Sequence, residues 1–315
     1  MKLRRIPLLK MMYCLLCVAC CHMPTAHAES LRILLLLSNR NPSYQTFVTT
    51  LQQQLPNTLL RSASVAELSS APQLLEDNDV IVALGLPAAE QAALQSNLPM
   101  LSVFVPQAAY NHLLEKINFP ARSNQMGVIY LNQPLTRQVD FITALLPQQH
   151  KIGVLYSASV NGEWRILREE LKLRGSSLIV QEVQSDETLF NQLENLLSQA
   201  DVLLAMPDNA LYSSSNVRNI LLSTYRFGVP VIGFSPSYVS AGAVAAIFAS
   251  PEQIAQQSTL FIQQAHLSGR WNSAQYADTF SIALNTQIAR SLVLSLPSEA
   301  EIRQRMNKAA RSNHD

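Results

Sequence analysis

Asp208 is the residue whose position says most about chemistry. It comes one proline after the apolar run from Val202 to Met206. A carboxylate beyond a buried strand lies at the edge of the sheet, where it can receive the ammonium group of a ligand. Alternatively, Asp208 or the neighbouring Asn209 caps the helix that follows. Position alone leaves both interpretations open.

Other candidate contacts follow the remaining predicted strands in the same way. In open α/β sheets, ligands bind beyond the carboxyl ends of the strands, where helix N-termini present N–H groups. Tyr156 also offers a ring face for stacking on an apolar or aromatic ligand. By this rule the candidate ligand contacts are Ser38, Gly85, Leu86, Gln107, Tyr156, Ser157, Asp208, Asn209 and Ser235.

The residue patterns of common catalytic and cofactor sites are missing. The segment from Gly233 to Ser237 begins like a nucleophile elbow but lacks its second glycine, and the 9 glycines are too isolated to form a phosphate loop. Among the histidines after residue 28, none stands at metal-ligand spacing from another. We therefore expect no enzymatic activity, no cofactor and no metal.

The elements that hold these residues alternate in the manner of βα units around a parallel sheet. Short, nearly continuous apolar runs are typical of strands that helices cover on both faces. The predicted strands are Leu31 to Leu37, Val80 to Leu84, Met100 to Val105, Gly127 to Leu131, Lys151 to Tyr156, Leu178 to Val183, Val202 to Met206, Val229 to Phe234 and Ala243 to Phe248.

The first 28 residues resemble a secretory signal peptide. A basic segment ends at Lys10, an apolar one runs from Met11 to Cys21, and small residues precede a cleavage point after Ala28. A lipoprotein signal at Cys20 is the less favoured alternative, because Cys17 stands where such signals usually have leucine. All 4 cysteines lie in this segment, so the mature chain has no disulfide. We expect a periplasmic protein.

Charge excludes two classes of partner. The formal net charge is +1, and part of the positive charge lies in the leader, so the remainder is slightly acidic. Nucleic acids and anionic membrane surfaces are recognised through clustered basic residues. We therefore expect neither as a partner.

The chain divides near Leu146-Pro147, where one βα series ends and another begins at Lys151. The predicted organisation is a signal peptide over 1–28, an N-terminal α/β lobe over 29–147 and a C-terminal α/β lobe over 148–278. A strand and helix over 279–315 return to the hinge or to the first lobe. We expect a monomer.

Several motifs resemble the substrate-binding proteins of ATP-binding cassette (ABC) transporters of the tryptophan/tyrosine type. They are the segment from Tyr130 to Leu135, the run Lys151 to Tyr156, Ala205 to Asn209, Gly228 to Ser235, and the closing stretch from Phe280 to Asn285. The resemblance covers about residues 30 to 310 and is strongest after Gly127.

The resemblance implies a type I periplasmic binding-protein fold, in which two Rossmann-like lobes with parallel sheets are joined by a hinge. It also implies that Asp208, Asn209 and Ser235 contact the ligand. The first lobe departs from the family pattern: Leu86 replaces a small hydroxyl residue, and Pro106-Gln107-Ala108 replaces Ser/Thr-Asp-Pro. Two polar anchors of the family are therefore missing.

The expected function is that of a periplasmic solute-binding protein of an ABC uptake system. It would capture a small amino-acid-like or apolar molecule by hinge closure and present it to an ABC permease. The alternative is an exported sensory or interaction protein on the same fold, with weakened or no ligand binding and a sensor protein as its membrane partner. The altered first-lobe anchors favour this alternative.

Overall fold

Two six-stranded sheets form the core of the protein. The computed structural model describes residues 30–117, 124–157, 163–208 and 210–312; the predicted signal peptide lies outside them. The first sheet has the order β11-β5-β4-β3-β1-β2, and all its strand pairs are parallel. Its strands are β1 (Arg32–Leu37), β2 (Leu59–Ser64), β3 (Val80–Leu84), β4 (Met100–Val105), β5 (Met126–Tyr130) and β11 (Ala274–Gln275).

The second sheet has the order β12-β10-β9-β8-β6-β7, in which only β12 runs antiparallel to its neighbour. Its strands are β6 (Lys151–Ser157), β7 (Ser177–Val183), β8 (Val202–Leu204), β9 (Val231–Gly233), β10 (Ala245–Phe248) and β12 (Ser281–Leu284). The described helices are α1 (Pro42–Gln54), α2 (Val65–Ser70), α3 (Leu86–Gln95), α4 (Gln107–Lys116), α5 (Leu135–Leu145), α6 (Glu163–Leu173), α7 (Asp186–Leu197), α8 (Ser214–Arg226), α9 (Pro236–Ala241), α10 (Pro251–Ser268), α11 (Thr286–Ser291) and α12 (Glu299–Ser312).

Strand β1 shows why an apolar run becomes a central strand. Successive side chains of a strand point to opposite faces. Leu35 and Leu37 accordingly join one buried cluster with Phe47 of α1, while Leu34 and Leu36 join another across the sheet. Because helices cover both faces, every β1 position from 33 to 37 is buried, as the unbroken run predicts.

The chain crosses between the two sheets three times, which changes the predicted lobe boundaries. Helix α5 follows β5 of the first sheet but packs its apolar face on the second. Helix α10 follows β10 of the second sheet but buries Phe261 and Ile262 against the first, and β11 continues there. The division at residue 147 therefore places α5, α10 and β11 on the wrong lobe.

The carboxyl-terminal segment also lies elsewhere than predicted, because it belongs to the second lobe. Strand β12 pairs with β10, and α12 packs Ile302 and Met306 on the same cluster as α5. The reason is apolar burial: Phe280, Ile282 and Leu284 find their partners on the second sheet. Ser298 and Glu301 form a capping box at the start of α12.

The third crossing is the segment between β11 and β12, and it is bonded to both lobes. Gln257 of α10 donates to the Tyr276 carbonyl oxygen at 3.0 Å and accepts from the Asp278 amide at 3.0 Å. From the other lobe, Arg137 of α5 donates to the Ala277 carbonyl oxygen at 2.7 Å. The crossing segment is thereby fixed to an element of each lobe.

Four strands differ from the sequence prediction, among them the two-residue β11, which no apolar run predicts. Strand β2 was not predicted, because it is an edge strand whose Arg61, Ser62 and Ser64 break the apolar pattern. Strands β8 and β9 have three residues each and are shorter than the runs that predict them, although the Ala205 amide beyond β8 still donates to the Ile232 carbonyl oxygen at 2.9 Å. Among the described helices, none has the length and apolarity to cross a membrane.

Gly127 of β5 tests the packing of α10 on the first lobe. A Cβ at this position would lie 2.4 Å from the Phe261 Cζ and 2.4 Å from the Trp271 carbonyl oxygen. We expect Gly127→Ala to lower the free energy of unfolding by about 1–3 kcal/mol, as overpacking does. Denaturant unfolding measures this.

Gly175→Asn is the control. Gly175 has a φ of +72°, and no atom of the described residues lies within 4 Å of the place that a Cβ would take. Asparagine tolerates this left-handed conformation better than most residues do. We expect this variant to unfold nearly as the unchanged protein does. Equal stability of Gly127→Ala and the unchanged protein would contradict the close approach of α10.

Candidate functional site

A cavity of about 640 Å³ opens at the carboxyl edge of the first sheet and reaches the second lobe. Its first-lobe wall comes from the segments after β1, β3 and β4 and from Leu131 after β5, while Ser237 of α9 comes from the second lobe. Its lining residues are Ser38, Asn39, Asn41, Pro42, Ser43, Tyr44, Gly85, Leu86, Pro87, Phe104, Pro106, Leu131 and Ser237.

The cavity wall is uncharged and partly aromatic. None of its lining residues is acidic or basic. The rings of Tyr44 and Phe104 lie 5.3 Å apart at 40°, and burial raises the pKa of the Tyr44 phenol. Serine and asparagine side chains make the rest of the wall polar, so the two rings are the part of the wall that can pack against an apolar or aromatic ligand body.

A β-bulge turns Phe104 towards Tyr44. Val103 pairs with Ile129 and Val105 with Tyr130, so Phe104 is an extra residue in β4. Without the bulge, Phe104 would face away from Val103; with it, both side chains pack on the same cluster. Phe104 has a φ of +58°, a conformation rare for an aromatic residue and a form of strain typical of functional sites.

Gly85 permits the close packing around the turn after β3. Its φ is +87°, and a Cβ there would lie 2.3 Å from the Tyr44 hydroxyl and 2.7 Å from Ser38 Oγ. Ser38 Oγ accepts a hydrogen bond from the Ala88 amide at 3.0 Å, so it caps α3 from another segment. Gly85 and Ser38 therefore line the cavity and also fix the turn between β3 and α3.

A second cavity of about 180 Å³ lies between the lobes and shares Leu86 and Pro106 with the first. Its charged or titratable lining residues are Glu90, His112, Lys116 and Asp208. Lys116 Nζ lies 3.2 Å from Glu90 Oε1, and His112 Nδ1 lies 3.3 Å from Glu115 Oε2. Asp208 has no ion-pair partner in the part of the chain that the structure describes.

The Asp208 carboxylate is buried and held in place by three hydrogen bonds. Oδ2 accepts from the Ser157 amide at 3.1 Å and from Ser157 Oγ at 2.6 Å, and Oδ1 accepts from the Ala210 amide at 3.0 Å. These bonds join the carboxyl ends of β6 and β8. Because α8 begins only at Ser214, Asp208 does not cap that helix, which removes one of the two sequence-based interpretations.

The remaining predicted contacts lie in different surroundings. Tyr156 donates to Glu182 Oε2 at 3.5 Å and its ring lies 6.4 Å from that of Trp164; burial and the Glu182 charge raise its pKa. Tyr156 and Ser235 line neither cavity, because the strand directs Tyr156 to the α6 face and Ser235 occupies the N-cap position of α9. Asn209 lies outside the described residues.

Gln107 lines neither cavity but follows Pro106, which lines both. Its amide donates to Asn132 Oδ1 at 2.9 Å, and its Oε1 accepts a short hydrogen bond from the Tyr276 hydroxyl. Asn132 lies in the first crossing, between β5 and α5, and Tyr276 lies in the third, between β11 and β12. Gln107 therefore ties the start of α4 to both.

Sequence reasoning missed Tyr44 and Phe104. Tyr44 lies in the first turn of α1, the helix that follows β1. The rule that ligands bind beyond the carboxyl ends of strands could therefore have identified it as a ligand contact. Phe104 could not be found, because a bulge leaves no pattern in an apolar run. Within the described residues, no three His, Cys, Asp or Glu side chains come together to hold a metal ion.

Comparison with known proteins identifies relatives of the whole two-lobed body. A profile of the family described as ABC transporter substrate binding protein matches residues 60–302. No curated protein matches the sequence.

Solved structures share the architecture at low sequence identity. A conserved domain protein from Vibrio cholerae has a TM-score of 0.64 and 19% identity over 87% of this chain and 98% of its own. The ABC domain from Streptococcus pneumonia in complex with L-Trp has the same four values. A ligand-free, open substrate binding protein with adhesive properties from Clostridium difficile has a TM-score of 0.65 and 16% identity over 86% and 97%. They confirm the predicted fold class.

Phe104 gives a test of the strained bulge. At a positive φ, alanine costs about 1 kcal/mol more than glycine, so we expect Phe104→Gly to be more stable than Phe104→Ala by that amount. At the buried helical position Phe141 the order reverses, because glycine in a helix costs about 1 kcal/mol relative to alanine. Denaturant midpoints of the four variants measure both differences; the same order at both positions would rule out the bulge.

Proposed function

Because the chain belongs to the family of ABC transporter substrate-binding proteins, we propose that it captures a small amphipathic solute between its lobes. It presents this solute to an ABC permease at the outer side of the cytoplasmic membrane. The observation that carries the proposal is the cavity of about 640 Å³ with walls from both lobes. Its size falls within the range of about 300–1,000 Å³ found for small-molecule sites. We infer that the protein acts as a monomer and that no reaction follows binding.

In this proposal each wall of the cleft contacts a different part of the solute. Tyr44 and Phe104 pack against its apolar body, and Asp208 receives its ammonium group. Ser38 and Gly85 shape the first-lobe wall, and Leu86 lines both cavities. Asn209 remains a predicted contact through its place beside Asp208.

Closure of the lobes supplies most of the affinity. A solute that touches both lobes binds the closed form more tightly and shifts the population towards it. The chain crosses between lobes three times, and Gln107 links the cleft to the first and third crossings. Movement at these segments therefore changes the cleft directly.

A ligand screen tests the proposed function. We expect one solute among amino acids, small peptides, amines, purines and apolar acids to raise the melting temperature of protein that was unfolded and refolded to remove carried-over ligand. A ligand at 100 times its Kd adds about 2.7 kcal/mol, which is a few degrees at this size. L-Trp is an early choice, because a structural neighbour holds it.

Asp208→Ala should abolish the shift, and Asp201→Ala is the matched control. Asp201 stands at the opposite end of β8 and also accepts two backbone amides, those of His150 and Lys151 at 3.0 and 2.9 Å. We expect it to lower stability while leaving the ligand shift intact. If no solute shifts the melt and the native protein carries none by mass spectrometry, the exported interaction protein becomes the better account.

The amino terminus of the exported protein tests the proposed periplasmic location. We expect it to begin at Glu29, since the small residues before it suit a signal peptidase. Intact mass and N-terminal sequencing of the exported fraction check this. A lipid-modified chain that begins at Cys20 would show membrane anchoring instead.

A further inference from the structure

We propose that the ligand is a cationic amine with an apolar or aromatic body and no carboxylate, rather than a zwitterionic amino acid. The inference rests on the proposed function, because it concerns the same cleft. It follows from the charges that line the cleft and from the partners of the backbone amides at its rim.

The charge balance of the cleft is negative. The larger cavity is uncharged, and in the smaller one Lys116 is paired with Glu90 and His112 with Glu115. Asp208 is the remaining charge of the two linings, and it is buried. Arg40, the basic residue that follows β1, lies 2.9 Å from Glu67 and lines neither cavity.

Helix starts are the usual alternative to basic residues for holding a carboxylate, because their first amides are free. In this cleft some of those amides are removed by proline or used by a side chain. Four helices have a proline at or beside their first residue, and proline has no N–H. They are α1 with Pro42, α3 with Pro87, α4 with Pro106 and α9 with Pro236.

Side-chain oxygens accept from further amides at three of these starts. Asn41 Oδ1 accepts from the Tyr44 amide at 2.9 Å, and Ser38 Oγ from the Ala88 amide at 3.0 Å. Asn132 Oδ1 accepts from the Gln107 amide at 2.9 Å. These bonds occupy three of the backbone donors that a ligand carboxylate could use, and they add to the stability of the helices.

Helix α4 does not offset this arrangement. Its second and third residues, Ala108 and Ala109, line the smaller cavity together with Asp208. A ligand carboxylate at this helix start would share the cavity with the Asp208 carboxylate, and like charges at short range repel. An ammonium group in the same place is attracted instead.

Asp208 has room for one such donor. A carboxylate offers about four acceptor positions, and its three hydrogen bonds from Ser157 and Ala210 leave one open on Oδ1. Those three donors also fix its orientation before the ligand arrives, which lowers the cost of binding. Leu86 and Pro106, which differ from the family pattern, also leave fewer donors for a ligand carboxylate. Each presents an apolar side chain where the family has a hydroxyl.

Matched pairs of ligands test the inference on the unchanged protein. The pairs are L-tryptophan and tryptamine, L-phenylalanine and phenethylamine, and L-leucine and 3-methylbutylamine. We expect at least one amine to bind about ten-fold or more tightly than its amino acid by calorimetry, because its ammonium is attracted and it has no carboxylate to leave unpaired. The amide of that amino acid should bind nearly as the amine does, since it keeps the ammonium and loses the negative charge.

Variants locate the effect. Asp208→Asn should weaken amine binding by about 30-fold or more, as expected when one partner of a buried charge pair is removed. Asp201→Asn, the same change at the far end of β8, should leave it unchanged. Because Asp208→Asn can also disturb the Ser157 contacts, N-acetylation of the amine provides a second test: the acetylated compound should not bind.

The outcomes separate this inference from the proposed function. If an amino acid binds as tightly as its amine, or if a neutral or anionic solute from the wider screen is the ligand, the inference is wrong and solute binding stands. If no solute in either experiment binds, both fail. Preference for an amine that Asp208→Asn removes and Asp201→Asn keeps supports both.

Discussion

Parallel strands leave all their carboxyl ends on one edge of a sheet, and three chain crossings bring two such edges face to face. The crossings follow β5, β10 and β11, so each lobe is built from segments distant in the sequence. Every loop that lines the cleft starts at one of these edges. The position of Asp208 opposite Leu86 and Pro106 depends on this arrangement and on no local feature of either segment.

Side chains of the cleft accept hydrogen bonds from backbone amides at the helix starts. A helix start must find acceptors for its first amides. Asn41 supplies one as the N-cap residue of α1, and Ser38 and Asn132 supply others from different segments, which stabilises the helices and at the same time withdraws donors from the cleft. The same hydrogen bonds therefore stabilise the empty protein and, in the proposed binding mode, discriminate among solutes.

Two unusual backbone conformations shape the same wall. Gly85 adopts a positive φ that brings Ser38 and Tyr44 close together, and glycine does so without steric cost. Phe104 adopts one without that freedom, so the surrounding packing must compensate for its strain. The bulge places an aromatic ring beside Tyr44 that a regular strand would have directed into the opposite cluster.

The sequence by itself determined the βα order, ten of the strands, the absence of cysteine after residue 21 and the polar residues that end the strands. These follow from local rules, because apolar runs and strand ends are properties of neighbouring residues. Only the tertiary structure decided which lobe α5, α10 and β12 join, that Asp208 bonds to Ser157 rather than capping a helix, and that Phe104 faces the cleft. Each of these depends on burial against residues far away in the chain, and no local pattern records such partners.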